Sequence, residues 1–400
     1  MDDDVERRTE LEDAGPGTRA VWGGELELSW QGATQVPVVN SVTFGFDDVD
    51  TWLDVGAGRT PGHIYSRNTN PTVQVFEEKL RALEGAPAAT SFATGMAAIS
   101  NTLFGLLKPG DRVVSLRDTY GGTSRLFLEF LPRFGIDVEL CETEDVEALE
   151  TAIRDGCELV YLESPTNPTM KIVDVPRLAR AGHEAGAVVV VDNTFATPIN
   201  QRPLELGADL VLHSATKFLG GHSDAMGGVV CGREDLVREI FRFREINGAS
   251  LAPSVAYLLI RGIKTLELRV LRQNENALGL ARFLRGHGAV DRVFYPGLED
   301  DKGHAAAARQ MSGFGGLLSF SLTGDFGDVK RVLERLRYAH RAASLGSVGT
   351  LIGPPAVTSH VELTPEDRAR LGIPETLIRC SVGIENLDDI VADFRQALEA

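Results

Sequence analysis

Lys217 stands alone as a lysine in the run Asp209–Met226 (DLVLHSATKFLGGHSDAM), among small and hydroxyl side chains and just after a strand-like apolar stretch. Upstream, Asp192 follows a second such stretch, Ala187–Val191 (AVVVV), and precedes Asn193 and Thr194. Short apolar runs of this kind read as buried strands, so an amine and a carboxylate are expected at the ends of neighbouring strands. A lysine amine forms an imine with an aldehyde. A buried carboxylate keeps a pyridine nitrogen protonated and makes the ring an electron acceptor. The pair therefore fits the chemistry of pyridoxal 5'-phosphate.

A phosphate-bearing cofactor needs donors for its dianion. Ser91–Met96 (SFATGM) leads into a helical stretch, so the amides of Gly95 and Met96 can point at an anion with the helix dipole behind them. A plain N-cap is the other reading of that motif. Ser214 and Thr216 add hydroxyls beside Lys217. Tyr120, in DTYGGT, follows a strand, where an aromatic ring either stacks on a cofactor or simply packs. Asn167, in ESPTNPT, sits in a turn stiffened by prolines. In YSRNTNPT, Arg67 can clamp a phosphate with two parallel bonds or lie on the surface. Arg379 is embedded in the apolar run LIRCSV and needs an anion, either a substrate carboxylate or a structural ion-pair partner.

The elements that must position these groups follow from periodicity. Thr72–Leu83 reads as an amphipathic helix with Val75, Phe76, Leu80 and Leu83 on one side, and Gly95–Leu107 as a helix stopped by Lys108-Pro109-Gly110. Strands are expected at Arg112–Leu116, Asp137–Cys141, Leu159–Leu162, Ala187–Val191, Asp209–His213 and Gly228–Cys231, alternating with helices. That alternation implies a mainly parallel sheet covered on both faces, with ligands at the carboxyl ends of its strands. Beyond Ile263 the pattern changes to a long helix near Lys264–Arg285, strands near Val290–Tyr295 and Gly316–Leu322, and a helix near Asp328–Arg337. Three parts follow: a tail and arm over 1–62, a large α/β domain over 63–262, and a smaller α+β domain over 263–400. Residues 1–15 read as a frayed tail, and 16–62 as an arm with few clear elements.

The formal charge of −17 argues against nucleic acid, which needs clustered Lys and Arg. Cys141, Cys157, Cys231 and Cys380 are scattered without metal-ligand spacing and read as free thiols of a cytoplasmic protein. No apolar run reaches the ~18 residues of a membrane span, and the acidic start is unlike a signal peptide.

Taken in order, YSRNTNPT, ATGM, DTYGGT, ESPTNP, VDNTFATP, HSATKFLGGHSD, SLGSVGTLI and LIRCSVGIEN resemble the Cys/Met metabolism PLP-dependent (transsulfuration) enzymes. That family includes cystathionine gamma-synthase, cystathionine gamma-lyase, methionine gamma-lyase and the homoserine-ester sulfhydrylases. The resemblance runs from about Thr34 to the C-terminus. It implies a PLP-dependent transferase fold of the aspartate-aminotransferase-like kind (fold type I). It further implies that Lys217 binds the cofactor and moves protons, that Asp192 pairs with the ring nitrogen, and that Tyr120 stacks on the ring. Gly95, Met96, Ser214 and Thr216 would hold the phosphate, and Tyr65 and Arg67 would reach the phosphate of a neighbouring subunit's cofactor. Asn167, Ser344 and Arg379 would take the substrate's α-carboxylate. Sharing of sites between subunits implies a dimer at least, and the family resemblance implies a homotetramer built as a dimer of dimers.

The implied reaction is loss of the Cα and Cβ protons of an amino-acid substrate and departure of its γ-substituent. Attack by a thiol then gives γ-replacement, and hydrolysis gives a 2-oxoacid and ammonia. Three positions depart from family patterns. Ala343 stands where cystathionine-handling relatives often carry a glutamate, and Gly349 replaces another glutamate common in this loop; losing both favours uncharged side chains such as methionine or homoserine esters over cystathionine or cysteine. Gly122 stands where methionine gamma-lyase carries a reactive cysteine. The run Gly353–His360 also differs from the commoner HPASMTH form. The sequence thus points to a methionine gamma-lyase or cystathionine gamma-synthase-like enzyme; an O-acetyl- or O-succinylhomoserine sulfhydrylase and a cystathionine beta- or gamma-lyase are the alternatives. An aminotransferase would use the same lysine, aspartate and arginine, but the YSR…NPT arm and SATK context argue against it. A non-catalytic scaffold has no use for all four of Lys217, Asp192, Tyr120 and Arg379.

Overall fold

A computed structural model describes residues 11, 13–26, 30, 32–358, 361 and 364–399. Ser359 and His360 of the Gly353–His360 run, and residues 1–10 of the expected tail, lie outside the described residues.

Seven strands form the first sheet: β1 (Ala88–Phe92), β2 (Arg112–Leu116), β3 (Asp137–Cys141), β4 (Leu159–Glu163), β5 (Val188–Asp192), β6 (Leu210–Ser214) and β7 (Gly228–Gly232). Their order is β1-β7-β6-β5-β4-β2-β3. The ladders from β3 through β2, β4 and β5 to β6 are parallel, while β7 pairs antiparallel with both β6 and β1. Successive side chains of a strand point to opposite faces. Val189 and Val191 accordingly join one apolar cluster with Leu149, Ile153 and Leu178 of covering helices. Val190, Leu210 and Leu212 join another with Ile99, Leu103 and Ile240. Burial on both faces is the reason that β5 reads as an unbroken run of valines.

The covering helices carry legible ends. Helix Pro71–Glu84 starts at Asn70, whose side chain accepts the amides of Thr72 and Val73, has proline in its first turn, and stops at Gly85 with φ +66°. Its four expected core residues, Val75, Phe76, Leu80 and Leu83, are buried. Helix Gly95–Leu106 is capped by Thr94, which accepts the Ala97 amide at 2.9 Å.

A second sheet contains β8 (Val290–Phe294), β9 (Leu317–Leu322), β10 (His340–Arg341), β11 (Leu351–Gly353) and β12 (Leu377–Ser381), in the order β10-β11-β12-β9-β8. Leu318, Phe320, Ile378 and Cys380 pack against Leu280, Leu284 and Phe394 of helices Leu266–Arg285 and Leu387–Leu398. The fold is thus α/β, with a mostly parallel sheet and a smaller sheet-and-helix unit. The expected long helix over Lys264–Arg285 starts at Leu266, and a separate helix, Pro253–Ile263, precedes it. The arm, read as having few clear elements, contains helices Pro16–Trp22 and Val49–Gly56.

Candidate active site

Glu163, Asp192 and Ser214 are the last residues of β4, β5 and β6, three adjacent parallel strands. A cavity of about 280 Å³ opens at these strand ends. Ten residues expected from the sequence line it: Gly95, Met96, Tyr120, Asn167, Asp192, Ser214, Thr216, Lys217, Ser344 and Arg379. Tyr65 and Arg67 do not. The Arg67 guanidinium lies over the Tyr65 ring, 5.2 Å from its centroid, and its carbonyl accepts the Ser250 hydroxyl at 2.8 Å.

Lys217 donates from Nζ to Ser344 Oγ at 3.3 Å. Burial first, and then the Arg379 guanidinium, bring its pKa down to about 8. A fair share of the amine is therefore neutral, hence nucleophilic and basic, near physiological pH. Arg379 reaches in from β12. Its guanidinium donates to Asn167 Oδ1 at 3.0 Å and to the Ser344 carbonyl at 3.1 Å, and burial lowers its pKa to about 10. Among the described residues no carboxylate forms an ion pair with it. A buried arginine with two neutral acceptors and no anion is a receptor for one.

Asp192 is buried and well provided with donors. Its Oδ1 accepts the Thr194 hydroxyl at 2.6 Å and the Thr194 amide at 3.0 Å, and its Oδ2 accepts the Tyr161 hydroxyl at 3.3 Å. Thr194 also takes the Ser214 amide at 2.9 Å, which ties the ends of β5 and β6 together.

At the start of helix Gly95–Leu106, the amides of Gly95 and Met96 have no carbonyl within the helix to bond. A side chain on Gly95 would bring its Cβ to 2.6 Å from Ser214 Cβ, so only glycine lets this helix start meet the end of β6. Together with the hydroxyls of Ser214 and Thr216, this makes a cradle of donors suited to a phosphate dianion. The donor set, the amine of Lys217 and the carboxylate of Asp192 fit pyridoxal phosphate. Tyr120 is 44% exposed, and its amide is held by Glu163 Oε2 at 2.8 Å. A Cβ on Gly122 would lie 2.8 Å from Tyr120 Cε1 and 2.7 Å from Met96 Sδ, so the missing side chain makes room for the tyrosine ring.

Sequence reasoning passed over Glu163, Thr194, Phe195 and Met226, which also line the cavity. Glu163 ends β4 as Asp192 ends β5, and the strand-end rule applied to every strand would have found it. Met226 follows no periodic pattern that would signal it.

The model of the family described as "Cys/Met metabolism PLP-dependent enzyme" matches residues 17–399. An L-methionine gamma-lyase of Fusobacterium nucleatum subsp. nucleatum is 42% identical over 394 residues, covering 98% of this chain and 99% of the relative. An O-succinylhomoserine sulfhydrylase of Pseudomonas aeruginosa is 43% identical over 344 residues, covering 86% and 85%. Among solved structures, cystathionine gamma synthase from Xanthomonas oryzae pv. oryzae, in complex with cystathionine, superposes with a TM-score of 0.91 at 38% identity over 96% of this chain and 98% of that one.

Proposed function

This chain belongs to the Cys/Met metabolism PLP-dependent enzyme family, and we propose that within it the enzyme acts on amino acids whose γ-substituent, a thioether or an ester, carries no amino group. It is a PLP-dependent lyase or transferase of the transsulfuration group, performing γ-elimination or γ-replacement on a sulfur-containing or homoserine-derived amino acid. When bound, pyridoxal phosphate supplies the electron sink that makes the substrate's Cα and Cβ protons acidic.

In this reading Lys217 holds the cofactor and then, as a free amine of lowered basicity, carries protons between neighbouring substrate carbons. Asp192 accepts a hydrogen bond from the protonated ring nitrogen. Gly95, Met96, Ser214 and Thr216 bind the phosphate, and Tyr120 covers the ring. Arg379, with Asn167 and Ser344, orients the α-carboxylate. The observation that carries the reading is the chain of contacts from Lys217 Nζ to Ser344 Oγ and from Arg379 to the Ser344 carbonyl. It puts a reactive amine and a carboxylate receptor one residue apart, as an α-amino acid requires.

The preference for a γ-substituent without an amino group rests on Ala343. This residue lines the cavity beside Ser344, and the only carboxylates among the described lining residues are Glu163 and Asp192. Among the described residues lining this cavity, none beside Ala343 offers a carboxylate to a second substrate amine.

Assembly as a homotetramer, a dimer of dimers with shared sites, is part of the same reading. Support comes from Tyr65 and Arg67, which stand outside their own cavity, and from Val49, Trp52 and Leu53, which a helix without a single buried residue leaves exposed. A division of labour between a cofactor-binding unit over 63–262 and a unit over 263–400 that brings Arg379 completes it. A cytoplasmic location agrees with four buried free cysteines. Among the described residues no helix is long and apolar enough to cross a membrane.

The test is a substrate panel on cofactor-loaded enzyme: methionine, cystathionine, cysteine and O-acetyl- and O-succinylhomoserine, each with and without a thiol. Oxoacid from methionine without acceptor identifies a γ-lyase; thioether formed only from ester plus thiol identifies a synthase or sulfhydrylase. Turnover of cystathionine in preference to methionine and the esters contradicts the preference for a γ-substituent without an amino group.

A further inference from the structure

Two carboxyl groups lie side by side at the base of the cavity. Glu163 and Asp192 are register partners on the parallel strands β4 and β5, so their side chains leave one face of the sheet about 4.8 Å apart, one strand spacing. Both are buried. Neighbouring carboxyls shielded from water do not both ionise, and hydrogen bonds settle which one keeps the proton. Asp192 accepts three, from the hydroxyl and amide of Thr194 and the hydroxyl of Tyr161. The Glu163 carboxyl faces two backbone amides, bonding that of Tyr120 at 2.8 Å, with that of Asn167 also turned toward it. A third carboxylate nearby, Asp118, has its own cation, Lys171 Nζ at 2.7 Å. Lys217 and Arg379 bond to Ser344 and Asn167 rather than to Glu163.

We propose that Glu163 is held as the neutral acid, leaving the negative charge on Asp192, and that it serves as a positioning residue by anchoring the backbone of Tyr120. Burial first, and then the Asp192 carboxylate, push Glu163 well above the usual carboxylate range. Burial raises Asp192 too, but the Thr194 hydroxyl and amide, His213 and Tyr161 oppose the rise. A neutral Glu163 holds Tyr120 over the cavity without competing with Asp192 for the ring proton. The inference rests on the proposed pairing of Asp192 with the cofactor.

The test uses cofactor-loaded enzyme and Glu163→Gln, which is neutral at every pH and keeps an oxygen for the Tyr120 amide. The infrared difference between wild type and this variant, near neutral pH, is expected to contain the carbonyl stretch of an un-ionised carboxyl group. A carboxylate band in its place overturns the proposal. The pH titration of the visible cofactor band is expected to move by less than about 0.3 unit in Glu163→Gln, whereas loss of a real charge so close would move it by about a unit or more. Glu163→Ala, which also removes the acceptor, is expected to lower kcat at least about tenfold further than Glu163→Gln does; equal losses overturn the positioning role. A wild-type protein with no visible band after cofactor addition overturns this inference and the proposed function together, whereas a normal band with a shifted Glu163→Gln titration overturns this inference alone.

Discussion

Lys79, fully buried, and Lys217, half-buried, are both brought down to about 8 by burial, yet their surroundings are opposite. Lys79 is sealed between helix Pro71–Glu84 and the N-terminal segment. Its Nζ donates to the carbonyls of Ala20 and Val21 at 3.0 and 2.9 Å and lies 3.0 Å from Glu25 Oε1. Glu25 in turn pairs with Lys264 at 2.8 Å. The segment can lie this close because Gly24, at φ +71°, would otherwise carry a Cβ 2.7 Å from the Val75 carbonyl. Lys217 has one long side-chain bond, to Ser344 Oγ, and lines the cavity together with a second cation, Arg379. Equal loss of basicity thus serves a clamp in one place and a reactive amine in the other. What separates them is whether the donors of the ammonium are met and whether a cavity stands before it.

The contrast is easiest to break by exchanging the consequences of mutation. Lys217→Ala is expected to lower kcat/KM by about 10⁴-fold or more, since both cofactor anchoring and proton transfer are lost. Its midpoint of urea unfolding in the cofactor-free state should stay near wild type. Lys79→Ala is expected to do the reverse: a loss of about 3–5 kcal/mol of unfolding free energy, as when one partner of a buried pair is removed, with kcat per folded molecule unchanged. A catalytic defect in folded Lys79→Ala would erase the distinction.

Smaller effects sharpen the cavity side of the comparison. Arg379→Ala is expected to weaken substrate capture by about 1.5–3 kcal/mol, roughly 10–150-fold in kcat/KM, borne mostly by KM. Replacing the substrate's α-carboxylate by an amide in wild type should cost a similar factor and add little in the variant. Smallest is Ala343→Glu, expected to raise the rate on cystathionine relative to methionine by about tenfold, by giving a second substrate amine a partner. An unchanged ratio would remove Ala343 as the determinant.

The fold was legible where burial leaves its mark on composition. The valines of β5 and the apolar face of Pro71–Glu84 announce their elements, and Asn70, Pro71 and Gly85 mark the ends of that helix. By contrast, β1 (AATSF) was invisible because it is an outer strand pairing only with β7, half polar, with Thr90 and Ser91 inside. The second helix was read to within two residues of its start at Leu266, whereas the first, Pro253–Ile263, went unread. Of the ten site residues on the cavity, Asp192 and Ser214 end strands, Gly95 and Met96 start a helix and Arg379 sits in β12, positions that sequence pattern marks. Ser344, by contrast, lies outside any strand or helix and came from the family resemblance alone. Glu163 hid within a turn motif whose prolines and asparagine drew the reading away from it. Tyr65 and Arg67, expected at a phosphate, do not line the cavity of their own chain.

The most direct measurement is chemical capture of the cofactor by the protein stripped of it. The protein would be mixed with pyridoxal phosphate across pH 6–9, reduced with borohydride, and digested to locate the modified lysine. Label on Lys217 alone is expected, with a capture rate rising about tenfold per pH unit and levelling above about 8, where its amine becomes neutral. Lys79, equally neutral there, should stay unlabelled because its donors are already met. Label on Lys79 or another lysine with Lys217 untouched would contradict the assignment of Lys217 as the cofactor's anchor.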